Sequence, residues 1–327
     1  MVPFLAEPKP HELMTTSFTS KYPAVSLLKA LFVIGGFLFL LNGCTTDKTA
    51  NENRMASLEN DIRTLVANYD SATVSVTVLD TSTGYELQMD GDRLYHAAST
   101  MKLPVMIELF RQAEMGRFSL DDEVVLKNEF RSIVDGSLFS IEDDSDDAIY
   151  EQLGQPMSLR QLGYNMITVS SNLATNLLMD YLSADSVQST SERLGTTKMQ
   201  TIRGVEDLKA FDLGMSNQAT SRDLATLLER LRTGTAVSPA SDSLMRGFLG
   251  DQFFNAMIPS GLPEGTQVAH KTGMITKIHH DAAIVYPAQG DPYVLVIMVE
   301  GISDSDISSE LGSSIARLVH ERLRGAA

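Results

Sequence analysis

The stretch that organises the chain is HAASTMKLP, residues 96–104, in which a loop is predicted to turn into a helix that begins at Ser99. Lys102 then lies one turn further on the same helical face, because residues three apart are neighbours on a helix surface. A serine hydroxyl needs a base before it can attack, and a lysine desolvated by apolar neighbours can lose its charge and serve as one. The spacing therefore predicts a nucleophile, Ser99, beside its base, Lys102.

The serine–lysine spacing by itself also has simpler explanations. Ser26 and Lys29 repeat it inside a predicted signal peptide, so at least one of the two copies has no catalytic meaning. Serine is also a favoured N-cap residue, where it stabilises an ordinary helix. Further motifs are needed to distinguish a nucleophile from a helix cap at Ser99.

The composition is that of a globular protein. The chain has 327 residues, of which 43% are hydrophobic, enough to build the core of one large domain or of two small ones. Its 42 acidic and 26 basic residues give a net charge of −16. This balance argues against nucleic acid as a partner, because phosphate binding needs a basic face. A solvated acidic surface that promotes solubility is sufficient to explain the charge.

The N-terminal residues have the pattern of a secretory signal. Two lysines precede an apolar run of 12 residues, 30–41, which is too short for a membrane span of roughly 20 residues. Gly43 and Cys44 follow the run and resemble the lipobox of bacterial lipoproteins. Cys44 is the only cysteine, so an intramolecular disulfide is impossible.

These features predict a lipoprotein signal peptide over residues 1–43 and a lipidated tether over residues 44–52. The catalytic domain would cover residues 53–327. The protein would be exported and anchored by a lipid on Cys44 to a bacterial membrane, facing the periplasm or the cell exterior. Ordinary export without a lipid is the alternative.

Strand patterns occur towards both ends of the chain, while the middle is mostly helical in pattern. The predicted strands are residues 71–79, 85–89, 266–271, 282–286 and 293–299. Amphipathic helices are predicted over residues 55–69 and 308–324. The predicted fold is α/β: an antiparallel sheet built from both termini (about 53–98 and 260–327) and flanked by helices, with an inserted all-α subdomain (about 99–259). The acidic residues 143–147 are interpreted as a solvated loop rather than a calcium site.

Two further motifs follow the first in a fixed order. Ser170, Ser171 and Asn172 form the second, and Lys271, Thr272 and Gly273 form the third, at the predicted end of an edge strand. The three together resemble the signature of class A β-lactamases and penicillin-binding proteins. The resemblance extends over residues 55–324, and it implies the β-lactamase and DD-peptidase fold and a serine hydrolase that is acylated at Ser99.

The resemblance also implies a role for each matched residue. Ser99 would attack, Lys102 would take its proton, and Ser170 would relay a proton to the departing β-lactam nitrogen. Asn172 would orient Lys102 and bind the substrate amide. No cofactor and no metal is implied.

Substrate recognition is implied for the third motif. The Lys271 charge and the Thr272 hydroxyl would bind the substrate carboxylate. Gly273 would allow the strand to approach closely, so that the backbone N–H groups of Ser99 and Met274 could form the oxyanion hole.

One departure from the family pattern concerns the Ω-loop, whose glutamate activates the deacylating water in class A enzymes. When Arg203 and Leu208 are aligned, Val205 falls at the glutamate position. Lys209 falls where an asparagine is usual. Glu206 is the tentative base in its place, and Asp207 is a second carboxylate, but either would need a locally different loop to face the pocket.

The sequence therefore predicts a serine β-lactamase-type hydrolase that opens β-lactams through a Ser99 acyl-enzyme. Two alternatives are a D-alanyl-D-alanine peptidase and a slow-turnover penicillin-binding protein or sensor, because Val205 replaces the expected glutamate. The predicted ligands are a β-lactam or the peptidoglycan stem peptide that it mimics. The protein is predicted to be a monomer, and its acyl-enzyme is expected to accumulate unless Glu206 or Asp207 reaches the water or Lys102 serves both steps.

Overall fold

A computed structural model describes residues 51–325 of the chain. The predicted signal peptide, Cys44 and most of the predicted tether lie outside the described residues. Residues 51 and 52, predicted to end the tether, are already helical, so the folded domain begins slightly earlier than the sequence indicated. Within residues 51–325, none of the helices combines the length and the apolar character that a bilayer crossing requires.

The strands are β1 (Thr73–Asp80), β2 (Tyr85–Met89), β3 (Tyr95–His96), β4 (Glu123–Val125), β5 (Phe130–Arg131), β6 (Leu138–Phe139), β7 (Pro156–Ser158), β8 (Gln218–Ala219), β9 (Gln267–Ile275), β10 (Ile278–Tyr286) and β11 (Tyr293–Glu300). The helices are α1 (51–66), α2 (Lys102–Glu114), α3 (Asp147–Tyr150), α4 (Leu159–Thr168), α5 (Asn172–Leu182), α6 (Ala184–Leu194), α7 (Leu208–Asp212), α8 (Ser221–Thr233), α9 (Pro239–Gly250) and α10 (Ser305–Arg324). Short 3₁₀ turns cover Ala98–Met101 and Pro259–Gly261.

Five strands form the main sheet in the order β2-β1-β11-β10-β9, and every neighbouring pair is antiparallel. Strand β1, from the N-terminal part of the chain, lies beside β11, from the C-terminal part, with Thr73 opposite Glu300 and Asp80 opposite Tyr293. The predicted antiparallel sheet from both termini is therefore confirmed. The hairpin β1–β2 and the closing helix α10 also agree with the sequence patterns.

Both faces of the sheet are covered by helices, and the sequence of β11 is apolar on both of its faces accordingly. Successive side chains of a strand point to opposite faces, and β11 is apolar at almost every position. Val294, Val296 and Met298 join the core under the helical part of the molecule. Leu295 and Ile297 join a second core against α1 and α10.

The inserted part of the chain is mostly helical, as predicted, and α2 runs through it almost entirely buried. It also contains three small two-stranded ladders, β3–β8, β4–β7 and β5–β6. These strands have only two or three residues each, too few for an alternating pattern to be visible in the sequence.

Strand β9 is longer than the sequence indicated. It continues to Ile275 and turns through Thr276 and Lys277, where Lys277 has a φ of +62°. The lysine, threonine and glycine of the third motif therefore lie in the middle of β9 rather than at its end. As predicted, β9 is an edge strand of the sheet.

Candidate active site

Ser99 lies in the 3₁₀ turn that leads into α2, one turn before the helix itself begins at Lys102. Neither the turn nor the helix uses Ser99 as its N-cap, since the caps are Ala97 and Met101 and neither makes a side-chain capping bond. Ala98, immediately before the serine, has a φ of +45°, which is rare for a residue other than glycine. Helix capping therefore does not explain Ser99.

The Lys102 side chain is fully buried at the start of α2. Its Nζ donates to the carbonyl oxygen of Ser170 at 2.7 Å, to Ser170 Oγ at 3.2 Å and to Asn172 Oδ1 at 2.8 Å. Among the described residues, the amine thus bonds to the second motif rather than to Ser99 Oγ. Burial lowers the Lys102 pKa to about 7, against the opposing effect of the Asp144 and Glu206 carboxylates. A large fraction of this amine is therefore neutral near pH 7.

Ser170 joins the lysines of the first and third motifs. Its Oγ lies 3.2 Å from Lys102 Nζ and 3.1 Å from Lys271 Nζ, and its backbone has a φ of +58°. The next residue, Ser171, is the N-cap of α5, where its hydroxyl accepts the N–H of Ala174. The cap fixes the start of α5, and Asn172 is the first residue of that helix.

Lys271 is fully buried in β9 and also donates to the carbonyl oxygen of Thr272 at 2.9 Å. Burial, and then the nearby Lys102 charge, hold the pKa of Lys271 well below its ordinary value, while Asp281 opposes them. Two buried amines that share one hydroxyl form a path along which protons can move.

Gly273 brings β9 against the serine turn. A Cβ at this position would lie 2.9 Å from the backbone nitrogen of Thr100 and 3.0 Å from that of Ser99, so only glycine fits. Met274, which follows, is 57% exposed and lines the same cleft as Ser99. The backbone of β9 therefore borders the cleft beside the backbone N–H of the serine.

The cleft has a volume of about 650 Å³. Ser99, Asn172 and Met274 line it, together with Glu206 and Phe211 from the segment that follows Arg203. Its size is within the usual range of small-molecule sites. Among residues 51–325, no three or more His, Cys, Asp or Glu side chains are grouped so as to hold a metal ion.

The loop after Arg203 differs from the alignment expected from the sequence. Val205 exchanges two backbone hydrogen bonds with the Asn176 amide, at 2.7 and 3.0 Å, and its side chain packs against the core. Glu206 instead lines the cleft, with its Oε1 3.5 Å from Asn172 Nδ2. The physical reason is the φ of +60° at Glu206, a local turn that residue spacing does not reveal.

The ionisation of Glu206 reflects this position. Burial raises its pKa above the ordinary value, and the Asp143 carboxylate acts in the same direction. Lys102 and Arg203 oppose both effects. Glu206 is therefore a carboxylate held among charges of both signs, a common arrangement at catalytic sites.

The other two polar residues of this loop have structural partners. Asp207 is buried, and its carboxylate accepts the N–H groups of Ile133 at 2.9 Å and Ala210 at 3.2 Å. Lys209 is exposed and pairs with Asp135 at 3.0 Å. Asp207 thus ties the start of α7 to the β5–β6 hairpin.

Sequence reasoning missed the part played by the acidic residues 143–147. Asp144 accepts the backbone N–H groups of Asn172 and Leu173, each at 2.8 Å, and so holds the first turn of α5. The carbonyl oxygen of Asp143 accepts Asn172 Nδ2 at 3.1 Å. These partners are 28 and 29 residues apart in the chain. No local pattern could have indicated the contacts.

The sequence also matches those of known proteins. Residues 57–323 match the family described as the Beta-lactamase enzyme family. The chain belongs to this family. A β-lactamase of Bacillus licheniformis is 24% identical over 290 residues, which are 85% of this chain and 89% of that protein. The predicted resemblance to class A enzymes is thereby confirmed, and the family supports a hydrolase.

Solved structures of similar proteins share the fold. PBP-A is 26% identical with a TM-score of 0.73, and the match covers 83% of this chain and 97% of PBP-A. A PBP-A mutant, solved as an acyl-enzyme complex with penicillin G, matches equally well. An ancestral (GNCA) class A β-lactamase matches with a TM-score of 0.71 at 24% identity, over 81% of this chain and 99% of that one.

Proposed function

We propose that the protein is a serine β-lactamase that forms an acyl-enzyme on Ser99 and hydrolyses it. The observation that carries the proposal is the Ser170 hydroxyl, which lies between two buried lysine amines at 3.2 and 3.1 Å, one on the helix that follows Ser99 and one on β9. Acyl transfer to a serine needs a base for the attack and an acid for the leaving nitrogen. This arrangement offers both.

Acylation would begin when neutral Lys102 takes the Ser99 proton. The freed oxygen attacks the β-lactam carbonyl carbon, and the Ser99 and Met274 N–H groups would bind the oxyanion. When the C–N bond breaks, Ser170 would give its proton to the nitrogen and regain one from the protonated lysine. A positioned base of this kind contributes roughly 10²–10⁴-fold in rate.

Recognition would use the third motif. A bound substrate carboxylate near Lys271 and Thr272 would favour the charged form of Lys271, whose pKa is lowered by burial. Asn172 would bind the substrate amide through its side chain, which already bridges Lys102 and Asp143.

Deacylation would use Glu206. Its carboxylate shares the cleft with Ser99 and lies beside Asn172, so a water held between them could be deprotonated and attack the ester. The ester carbon would then leave Ser99, which would recover its proton. Glu206 thus takes the role that the sequence alignment gave to position 205, where valine cannot act as a base.

A second function, a slow-turnover penicillin-binding protein or D-alanyl-D-alanine peptidase, is favoured by one observation. Glu206 is displaced by one residue from the position that the family pattern assigns to its base, and it lies among the acidic Asp143 and Asp144. The likeness to PBP-A, trapped as a penicillin acyl-enzyme in mutant form, fits the same alternative. The natural ligand would then be a peptidoglycan stem peptide.

The two functions are separated by measuring both reactions of the purified protein. Loss of β-lactam absorbance with many turnovers of benzylpenicillin supports the β-lactamase. Release of D-alanine from a D-alanyl-D-alanine peptide, with a single turnover of penicillin, supports the peptidase. Absence of any penicillin adduct and of both products would contradict acyl transfer altogether.

We also propose that the mature protein is a monomer, exported and attached to a bacterial membrane through a lipid on Cys44. The support is the order of lysines, short apolar run, Gly43 and Cys44 in the sequence. Mass spectrometry of the mature protein should find a lipid on Cys44, and Cys44→Ser should release the protein from membranes. An unmodified mature N-terminus beyond Cys44 would leave ordinary export as the explanation.

A further inference from the structure

His96 holds the backbone immediately before the nucleophile. Its Nδ1 accepts the N–H of Ala98 at 3.0 Å, and Ala98 is the residue with a φ of +45°. Such a backbone conformation is unfavourable for alanine and persists only where its surroundings impose it. The imidazole is the side chain that supplies this hydrogen bond, and Ser99 is the next residue.

The backbone and the ring of His96 both have packing partners. His96 pairs with Gln218 in the β3–β8 ladder, and its carbonyl oxygen accepts His280 Nε2 at 3.0 Å. Its ring meets Phe211 of α7 edge-on, with 5.8 Å between centroids. It also lines the cleft that contains Ser99. Movement of the ring would therefore displace the serine turn through the hydrogen bond to Ala98.

The hydrogen bond to Ala98 requires a neutral ring. In neutral imidazole one nitrogen accepts, whereas in the protonated ring both nitrogens are donors. Protonation would thus point an N–H at the N–H of Ala98. Arg203 is a charged group that acts on the ring, and His280 of β10 is a titratable neighbour. The Glu206 and Asp207 carboxylates line the same cleft.

These surroundings favour the neutral ring at pH 7. Burial, and then the Arg203 charge, lower the pKa of His96 below 6.5. Burial lowers the pKa of His280 to about 4, so that neighbour is also neutral at pH 7. Acidification is therefore needed to break the contact with Ala98.

We propose that His96 is a positioning residue for acylation: its neutral ring keeps the Ala98–Ser99 turn in the attacking conformation, and its protonation releases the turn. The inference rests on the proposed function, in which Ser99 is the nucleophile. Acylation should be fully supported by His96 above the ordinary histidine pKa and should lose that support as the pH falls.

Two substitutions separate the hydrogen bond from the rest of the side chain. In His96→Asn, the amide oxygen can accept the N–H two residues further on, as in an Asx turn, but it does not titrate. In His96→Phe, the aromatic contact with Phe211 is kept while the acceptor is lost. His320→Asn, on the far helix α10, is the matched control for removing a histidine.

The measurement is the rate constant for acylation by a penicillin, followed by stopped flow between about pH 5 and about pH 8. At the upper pH, His96→Phe should be roughly tenfold slower than wild type, the factor expected for one lost hydrogen bond. His96→Asn should match wild type there and become relatively faster on acidification. Dividing the rate constant of His96→Asn by that of wild type removes the pH dependence that both proteins owe to Lys102.

The proposal would be overturned if the acylation rate constant of His96→Asn, divided by that of wild type, stayed constant with pH. It would also be overturned if His96→Phe were acylated as fast as wild type. If His96→Phe does not fold, as judged by its thermal transition, the pH dependence of the asparagine variant decides alone. Absence of an adduct in every protein would instead overturn the proposed function, and the role of His96 would fall with it.

Discussion

Two sides of the cleft are built by different means. One side, called the motif wall, is formed by the serine turn, the start of α5 and β9. The fully buried Lys102 and Lys271 and the Ser170 hydroxyl between them hold it in place. The side formed by residues 203–212, the loop wall, exposes 65% of Leu208 and 48% of Phe211. Two polar side chains hold the loop wall: Asn176 binds the backbone of Val205, and Asp207 accepts the N–H groups of Ile133 and Ala210. In the proposed reaction, acylation would thus depend on packed groups, and deacylation on one turn of backbone.

This difference has an energetic consequence. A buried amine that loses its hydrogen-bond partner is left with the full cost of its desolvation, so the motif wall has few alternative arrangements. The loop wall lies closer to solvent and can move with less loss of contacts. Substitutions on the two walls should therefore affect different steps of the reaction.

The largest effect is expected on the motif wall at Ser99. Ser99→Ala removes the nucleophile, so labelling by a fluorescent penicillin should disappear. Ser189→Ala, which changes an exposed serine on α6, should label like wild type. Labelling that persists in a folded Ser99→Ala protein would remove Ser99 from the mechanism.

The motif wall also predicts a pH dependence. Because the Lys102 pKa is lowered to about 7, its neutral, proton-accepting form is lost as the pH falls below that value. The acylation rate constant should then decrease about tenfold for each pH unit below about 7. Lys102→Arg, which stays charged, should abolish acylation at all these pH values. A pH-independent rate in wild type would contradict Lys102 as the base.

On the loop wall, Asp207→Asn should slow deacylation while leaving acylation unchanged. Asparagine has one acceptor oxygen where Asp207 uses two, so one of the N–H groups of Ile133 and Ala210 would lose its partner. We expect a decrease of roughly tenfold in the deacylation rate constant, measured by release of the adduct. Asp212→Asn, with the same charge change on the exposed end of α7, is the control. Equal slowing of both steps would show that the walls are not independent.

The smallest effect is expected at the rim of the loop wall. Lys209 and Asp135 form an exposed ion pair, and such pairs contribute little in water. Lys209→Met should change turnover of penicillin by less than about twofold, and added salt should have little effect. A large decrease would mean that the loop wall depends on the β5–β6 hairpin through its surface as well as through Asp207.

The same comparison explains what the sequence could predict. The hairpin β1–β2 was visible because polar and apolar residues alternate along it, and the three motifs because each is a short local pattern in a fixed order. The position of Glu206 was not visible, because it depends on one residue with positive φ that shifts the loop by a single position. The contact of Asp144 with Asn172 joins distant parts of the chain, so it required the folded structure.

The predicted accumulation of an acyl-enzyme was based on Val205 standing at the base position. With Glu206 in the cleft, release of the adduct is the expected behaviour of the wild-type protein, and slow turnover is that of a variant. In the proposed reaction, each of the two walls would serve a separate step. Glu206 is the residue on which this division depends.

An intact-mass time course with benzylpenicillin, run on wild type and on Glu206→Gln, tests that claim most directly. Wild type should gain the penicillin mass and lose it again as product forms. Glu206→Gln should gain it at the same rate and retain it, because losing a general base slows deacylation by roughly 10²–10⁴-fold. Release of the adduct at the wild-type rate from Glu206→Gln would contradict the account, and so would a wild-type protein that never releases it.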